Sequence, residues 1–494
     1  MKFITKKINE ITSGTIICFM FENESFRSEL FNKLDELSNG FVTNQINKLK
    51  VIKGAYNEQF KCAINEDIKA IIVGLGKKEN LTRQKFSQAI ASATRCAKTF
   101  SNNEILGIEL IDNMEECNCI LKNFDKKDSA KITLTAARIG LYEYNKFLDK
   151  KEKIETIELL TNENTQDIEK GAEIGAYTSF AMKFAKDLIN EPAQNATPAY
   201  IAQLAAQIAK DNNLEAKIYN KDQIKDLKMN AFLAVGQGSV NEPKLVHLTY
   251  KPKGKAKKKI ALIGKGITFD AGGMNIKPAT SMLTMKCDMS GAASVLGIIQ
   301  AISKLKPNIE LHVITALCEN MTSGCAYKQG DVLTAMNGKT IEVDNTDAEG
   351  RITLADALCY ADKLNVDEVI DIATLTGAVV VSLGHNITGV MGNNQKQIDK
   401  FIETSKKYCE NTWQMPILEE MKDNLKSEIA DMKNTGGRNA GTSTAAWFLS
   451  NFTKSNAWMH LDIAGTAYLE KSNKETLSGP TGVMIRSLIN YLIS

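Results

Sequence analysis

Asp347, Glu349 and Arg351 fall within five residues, in the run Asn345-Thr346-Asp347-Ala348-Glu349-Gly350-Arg351. Two carboxylates and a guanidinium that close together can hold a divalent cation, or they can simply finish a helix. Leu354, Leu358 and Ala361 recur at helical spacing, so the run sits in a turn feeding a helix. Thr346-x-x-Glu349 fits a capping box, and Asp347 in a first turn would complement the helix dipole. A second cluster changes the balance. Gly264-Lys265-Gly266-Ile267-Thr268-Phe269-Asp270-Ala271-Gly272-Gly273 reads as another acid-bearing, glycine-rich turn after an apolar strand, followed by Lys277 and Asp288. Two such turns at strand exits call for a cation between them, which a simple cap does not.

The remaining chemistry-bearing residues narrow the options. Only four histidines occur, His247, His312, His385 and His460, and none forms the helix-borne zinc protease pair. His312, in an apolar strand, reads as a satisfied core histidine. No Gly-x-Ser-x-Gly elbow exists and nothing marks a nucleophilic cysteine. Carboxylates and lysines are left, and oxygen-rich ligation suits Mn²⁺, Mg²⁺ or Zn²⁺ better than copper.

These side chains need a scaffold that delivers them to one place. Val332 to Met336 and Lys339 to Val343 flank Asn337-Gly338, a hairpin signal leading to the Asp347 run. Strand-like runs at Ile260–Gly264, Ile309–Leu317 and Glu368–Thr374 alternate with helical patterns at 198–209, Ala292–Leu305 and Ser443–Phe452. The expected class is α/β, with two domains. Each is a helix-covered mixed or mostly parallel sheet, and the C-terminal one is larger and catalytic. Ligands in such sheets bind beyond the carboxyl ends of strands, where both acidic clusters fall. Gly436-Gly437-Arg438-Asn439-Ala440-Gly441 is a further glycine-rich turn, fit to bind an anion or to form a mobile rim.

The N-terminal part also reads as α/β, with strands at Thr15–Phe21, Ala70–Gly76 and Ile105–Ile111 and a helix over Leu81–Phe100. Gly74-Leu75-Gly76 lacks the third glycine of a dinucleotide fingerprint, so tight strand-to-helix geometry is the better reason for it. The expected domains are residues 1–165, a linker helix at 166–191 ending before Pro192, and a larger domain at 192–494.

With 494 residues, 43% hydrophobic and 24% charged, the chain can bury a large core. A net charge of +3 argues against a dedicated nucleic-acid or membrane-surface binder. The lysine-dense stretch Lys251–Lys259 reads as a solvated loop. Ten cysteines lack framework spacing, and the close pair Cys117-x-Cys119 has no partner pair or nearby histidine, so they read as reduced. No convincing signal peptide or membrane-length apolar run is present, which leads to the expectation of a cytoplasmic protein.

The motif Asn345–Arg351, the block Gly264–Asp270 and the block Asp371-Ile372-Ala373-Thr374-Leu375-Thr376-Gly377-Ala378 together resemble the cytosolic leucyl aminopeptidase family, a two-metal family. The resemblance runs from about Asp187 to the end of the chain. It implies a metal-dependent aminopeptidase that releases leucine and other apolar residues from peptides with a free N-terminus, through a hydroxide activated by two metals. By the same resemblance Asp270 and Glu349 bridge two ions, Asp347 completes one site, and Lys265 and Asp288 complete the other. Lys277 would stabilise the oxyanion, and Arg351 would hold a bicarbonate. Met285, Thr374, Leu375, Gly377, Ala464 and Ala467 would form the pocket for the first side chain. Two divalent ions per subunit (Mn²⁺, Zn²⁺ or both) and a homohexamer are further implications.

From the residues alone, Lys265 reads equally as a charge partner for the acids, and Arg351 as a salt-bridge partner of Glu349. Ala271, Ser290 and Ala467 depart from residues common in the family. A two-metal phosphoesterase and a nucleic-acid-binding regulator are the competing readings.

Overall fold

The computed structural model describes residues 1–22, 28–100, 103–111, 124–149, 153–163 and 166–494; the Cys117-x-Cys119 pair lies outside them. The chain divides into two compact units. One comprises Met1–Ser179 with Lys471–Leu477, and the other Phe180–Glu470 with Ser478–Ser494. The division falls inside one helix, Gln166–Asn190, in the segment the sequence marks as a linker. Nothing in the sequence marks the Lys471–Leu477 excursion. It is held by Ser87 Oγ donating to Glu475 Oε1 (2.8 Å) and Arg95 donating to the Glu475 carbonyl (2.7 Å).

The smaller unit is built on β1 (Lys2–Lys6), β2 (Gly14–Met20), β3 (Gln59–Ala63), β4 (Ile68–Gly74), β5 (Ile105–Glu109) and β6 (Thr156–Leu160), in the order β1-β6-β5-β2-β4-β3. All neighbours are parallel except β3 and β4. β4 ends two residues before the expected Gly76. A Cβ on Gly74 would lie 2.1 Å from the Ala55 carbonyl oxygen, and Gly76 has φ +75°, so close packing and a left-handed turn require these glycines.

The larger unit contains β7 (Glu215–Tyr219), β8 (Lys244–Tyr250), β9 (Lys259–Asp270), β10 (Glu310–Asn320), β11 (Val332–Thr334), β12 (Thr340–Glu342), β13 (Glu368–Ala373), β14 (Thr388–Gly392), β15 (Thr412–Gln414), β16 (Met432–Lys433) and β17 (Trp458–Asp462). Eight of them form one mixed sheet, β15-β14-β17-β13-β9-β10-β8-β7, and β11-β12-β16 form a small second one. Parallel β17, β13, β9 and β10 make the centre of the large sheet, and their near-continuous apolar runs fit burial on both faces.

β9 corrects the sequence reading. Gly264–Asp270 is not a turn: the strand runs six residues past Gly264, and Lys265 lies in its middle. Gly264 and Gly266 interrupt the apolar run without ending it. A Cβ on Gly264 would meet the Gly291 carbonyl at 2.5 Å, and one on Gly291 would meet the Ile372 carbonyl oxygen at 2.1 Å. The helix Ser290–Leu305 therefore lies directly on the backbone of β9 and β13.

The end of β9 carries a bulge. Cys318 of β10 pairs with Ile267, but Glu319 pairs with Phe269, which leaves Thr268 as the extra residue. Side chains alternate across a strand, so Lys265 and Asp270 would otherwise face opposite ways. One inserted residue restores Asp270 to the face of Lys265. That face lies against the helix Glu349–Asp362, whose Gly350 touches the Lys265 side chain.

The hairpin forms as the sequence indicates, with Thr334 opposite Thr340 and a left-handed Gly338 (φ +88°) in its loop. Its loop is tied to that helix by Asp356, which accepts from Met336 N (2.7 Å) and Phe232 N (2.9 Å). Burial raises the Asp356 carboxyl to about 7, against the pull of these amides. A raised acid is protonated in the fold between about pH 4 and 7 while the unfolded chain has already lost that proton. Its contribution to stability therefore declines as pH rises through that window and is constant above it. Asp356→Asn should flatten that part of the pH–stability curve, read from urea melts at about pH 5 and about pH 8.

Gly291→Ala should destabilise the larger unit by roughly 1–3 kcal/mol or more, because carbonyl groups cannot step aside as side chains do. Gly324, where an added methyl would have nothing within 4 Å, serves as the control. Gly324→Ala should leave the denaturation midpoint unchanged, and equal shifts for the two variants would contradict the packing argument.

Candidate metal centre

The carboxyl ends of the central strands bring the two acidic clusters together. Lys265 and Asp270 come from β9, and Lys277 from the loop after it. Asp288 sits in the short turn Met285–Met289, just before the Ser290–Leu305 helix. Asp347 ends the loop after the hairpin, Glu349 opens the Glu349–Asp362 helix, and Arg351 lies in its first turn. Asp270, Asp347 and Glu349 each place one carboxylate oxygen within 4.8 Å of the others. Three of the five expected ligands thus converge as an all-oxygen triad.

Two lysines thread this cluster. Lys265 Nζ meets Asp288 Oδ1 (2.9 Å), Glu349 Oε1 (2.9 Å) and the Thr374 carbonyl (2.8 Å). Three acceptors match the three donors of an ammonium. Lys277 Nζ meets Asp270 Oδ2 (2.8 Å) and Asp347 Oδ1 (2.5 Å). Burial works to lower both lysines. The attraction of Asp288, Glu349 and Asp270 outweighs it at Lys265, and that of Asp270 and Glu349 at Lys277, so both are held above their ordinary values.

The acids are displaced the other way. Burial raises Asp288 and Asp270, with Glu349 adding repulsion; burial and the charge of Asp270 raise Asp347. Four carboxyl groups share two ammonium groups, and the buried oxygens Asp288 Oδ2 and Glu349 Oε2 have no hydrogen-bond partner among the described residues. Unpaired buried carboxylate oxygens are costly, and hard divalent cations are their natural complement. The donor set thus fits the cations the sequence implies. As a ligand, Lys265 would have to surrender a proton, which dications beside it favour.

The capping box is not formed. No side chain caps the Glu349 helix at Ala348. Thr346 Oγ1 instead donates to the Gly272 carbonyl (2.7 Å) and accepts from Asn275 N (2.8 Å), tying the two acidic loops together. Asn320, at the end of β10, donates to Asp270 Oδ1 (2.8 Å) and to the Thr346 carbonyl (3.0 Å). Tyr327 donates to that carbonyl as well (2.7 Å). Sequence reasoning missed these supports. A buried asparagine ending an apolar strand was the one signal available, since Asn275 and Tyr327 lie in loops without pattern.

Arg351 does not pair with Glu349, whose carboxylate is engaged by Lys265. Its guanidinium donates to the Asn434 carbonyl (2.9 Å), and among the described residues it has no carboxylate partner. Burial lowers Arg351 to about 10, with Glu349 and Asp462 opposing. Asn434 in turn receives Asp344 N and donates to the Asn345 carbonyl, fixing the start of the motif.

A cleft of about 940 Å³ opens beside the cluster, lined among others by Asp347, Arg351, Leu375 and Gly377. Met285, Thr374, Ala464 and Ala467 are not on its wall. Thr374 instead donates to Asp288 Oδ1 (2.7 Å) while its carbonyl holds Lys265, and Ala467 is buried. Ser290, one of the departures, donates to the Cys287 carbonyl and leaves the acids alone.

Comparisons with known proteins agree across the chain. The model of the cytosol aminopeptidase family, catalytic domain, matches residues 183–489, and that of the same family's N-terminal domain matches 17–151. A probable cytosol aminopeptidase of Nostoc punctiforme is 41% identical over 499 residues, covering 99% of this chain and 98% of the relative. One from Aquifex aeolicus is 40% identical over 428 residues, covering 85% and 84%. A mutant tomato leucine aminopeptidase superposes with a TM-score of 0.88 at 32% identity, covering 100% of this chain and 96% of that one. A bottromycin maturation enzyme in complex with Mn does so with 0.85 at 27%, covering 98% and 99%.

Gly350 gives the site a sharp test. A Cβ there would lie 2.4 Å from Lys265 Cε and 2.6 Å from its Nζ. Alanine is the better helix former, but a methyl group there overpacks the buried Lys265 side chain, so Gly350→Ala should lower thermal stability. It should also push Lys265 off its three partners and weaken Mn²⁺ binding roughly 10- to 100-fold by calorimetric titration. Undiminished Mn²⁺ affinity would remove Lys265 from the centre.

Proposed function

The chain belongs to the cytosol aminopeptidase family and is an aminopeptidase; from that premise we propose that it removes leucine and other apolar residues from peptide N-termini at a two-metal centre formed by Lys265, Asp270, Asp288, Asp347 and Glu349. The observation that carries this reading is the convergence of Asp270, Asp347 and Glu349 oxygens within 4.8 Å, beside buried carboxylate oxygens without partners. Divalent cations bound there would polarise the scissile carbonyl and lower the pKa of the attacking water.

The chain's own residues set the rest of the reaction. Glu349 meets Lys265 and Asp270 meets Lys277, and each brings one carboxylate oxygen within 4.8 Å of the other, which supports them as the ligands two ions would share. Asp347 reaches the cleft wall and meets the substrate side first. The acidic cluster attracts the peptide's free ammonium end and repels its carboxylate, so it favours cleavage at the N-terminus. Lys277 is tethered to Asp270 and to Asp347, which itself lines the cleft, and its ammonium would meet charge developing on the carbonyl oxygen. Arg351, buried on the cleft wall without a carboxylate partner, suits a small anion such as bicarbonate that accepts and returns a proton. Leu375 and Gly377 on that wall favour an apolar first side chain. A homohexamer in the cytoplasm is the assembly and location proposed with this reading. Among the described residues no helix is long and apolar enough to cross a membrane.

The two lysines separate binding from chemistry. Lys277→Ala should keep bound metal and lose about 10²–10³ in kcat. Lys265→Ala should lose metal and regain part of its rate as Mn²⁺ is raised. Elemental analysis and leucinamide kinetics across a Mn²⁺ titration read both effects; the opposite pattern would reverse the assigned roles. Phosphate-ester hydrolysis without amide hydrolysis would replace the peptidase reading altogether.

A further inference from the structure

The wall of the cleft carries charge of both signs, and most of it is already satisfied. Asp347 meets Lys277, and Asp344 accepts from Thr435 Oγ1 at 3.2 Å and lies 3.7 Å from Lys433. Arg438 differs: it is exposed on the same wall and makes no hydrogen bond or ion pair among the described residues. It stands in the glycine-rich stretch before the helix Gly441–Ser450, whose first residues Gly441, Thr442 and Ser443 also line the cleft. Ala440, which precedes that helix with φ +51°, offers no side-chain cap to its first backbone N–H groups. Arg351, only 8% exposed and held by the Asn434 carbonyl, adds a second guanidinium to the wall.

A peptide in this cleft therefore meets opposite fields at its two termini. Carboxylates gather at the cluster, while guanidinium groups and uncapped amides line the wall beyond it. An ammonium is drawn to the first and a carboxylate to the second. An extended residue spans only about 3.3–3.6 Å, so the carboxylate of a di- or tripeptide lies one or two such steps beyond the scissile bond, and Arg438 lines the same cleft as Asp347.

We propose that Arg438, with the uncapped amides of Gly441–Ser443, receives the C-terminal carboxylate of a short peptide whose amino end lies at the carboxylate cluster. The enzyme is then selective for di- and tripeptides over amides of the same sequence. This rests on the aminopeptidase reading above and adds to it a preference at the far end of the substrate.

The test compares Leu-Gly, Leu-Gly-NH₂ and Leu-Glu-NH₂ on the Mn²⁺-loaded full-length protein and on Arg438→Ala and Arg438→Lys. The ratio of kcat/KM for Leu-Gly over Leu-Gly-NH₂ should fall roughly 5- to 10-fold in Arg438→Ala, mainly through KM, and only partly in Arg438→Lys. The wild-type ratio should shrink in about 0.5 M salt. A ratio that Arg438→Ala leaves unchanged overturns the proposal, whether or not both rates drop together. A preference for Leu-Glu-NH₂ with none for Leu-Gly assigns Arg438 to a side-chain carboxylate and also overturns it. A wild-type protein that cleaves all three peptides with an unchanged ratio in Arg438→Ala leaves the aminopeptidase reading standing. One that cleaves none of them overturns both.

Discussion

The larger unit is arranged around an excess of carboxyl groups, three of them buried. Asp270, Asp288, Asp347 and Glu349 share two lysines, and some of their oxygens have no partner among the described residues. Burial raises the proton affinity of Asp270 and Asp288, and the charge of Glu349 adds to the effect. A folding chain would not keep such a cluster for stability, since well-packed apolar side chains could fill the same volume at less cost. The cluster persists because the backbone on every side is held by groups that cannot easily yield. Thr346 ties the two acidic loops, Asn320 fixes Asp270, and Asn434 fixes the start of the motif.

The sheet supplies that rigidity through close backbone contact. Gly264 and Gly291 let a helix rest directly on the central strands, and Gly350 lets the opposite helix rest against Lys265. Lys265 is thus gripped from one side by a helix backbone and from the other by acids and the Thr374 carbonyl. Preorganisation of this kind lets charged groups act without reorganising when substrate arrives. The glycines of the motifs are there for proximity as much as for flexibility.

Much of this is legible without any coordinates. The acids, their spacing, the α/β alternation and the hairpin feeding the Glu349 helix can be read from residue types, and the family resemblance supplies roles that spacing alone cannot. Three things stay hidden for physical reasons. Gly264 and Gly266 resemble turn residues, so the sequence reads a turn where the strand continues through Lys265. Thr346 and Glu349 fit a capping box, but tertiary contacts recruit the Thr346 hydroxyl elsewhere. The Lys471–Leu477 excursion into the smaller unit depends on long-range partners such as Arg95, which no local pattern announces. Local chemistry is visible in a sequence, whereas competition between partners is decided only in three dimensions.

The extra residue in β9 makes the proposed ligand set a matter of odd and even numbers. Lys265 and Asp270 are five positions apart, an interval that a regular strand would split between its two faces; Thr268 makes it behave as an even one. Substitutions along this segment test chemistry one side chain at a time, but a single gain or loss of a residue would reverse every side chain beyond it. The strand is therefore open to change in composition and closed to change in length. Such a rule leaves its mark on spacing, where a tally of residue types cannot register it.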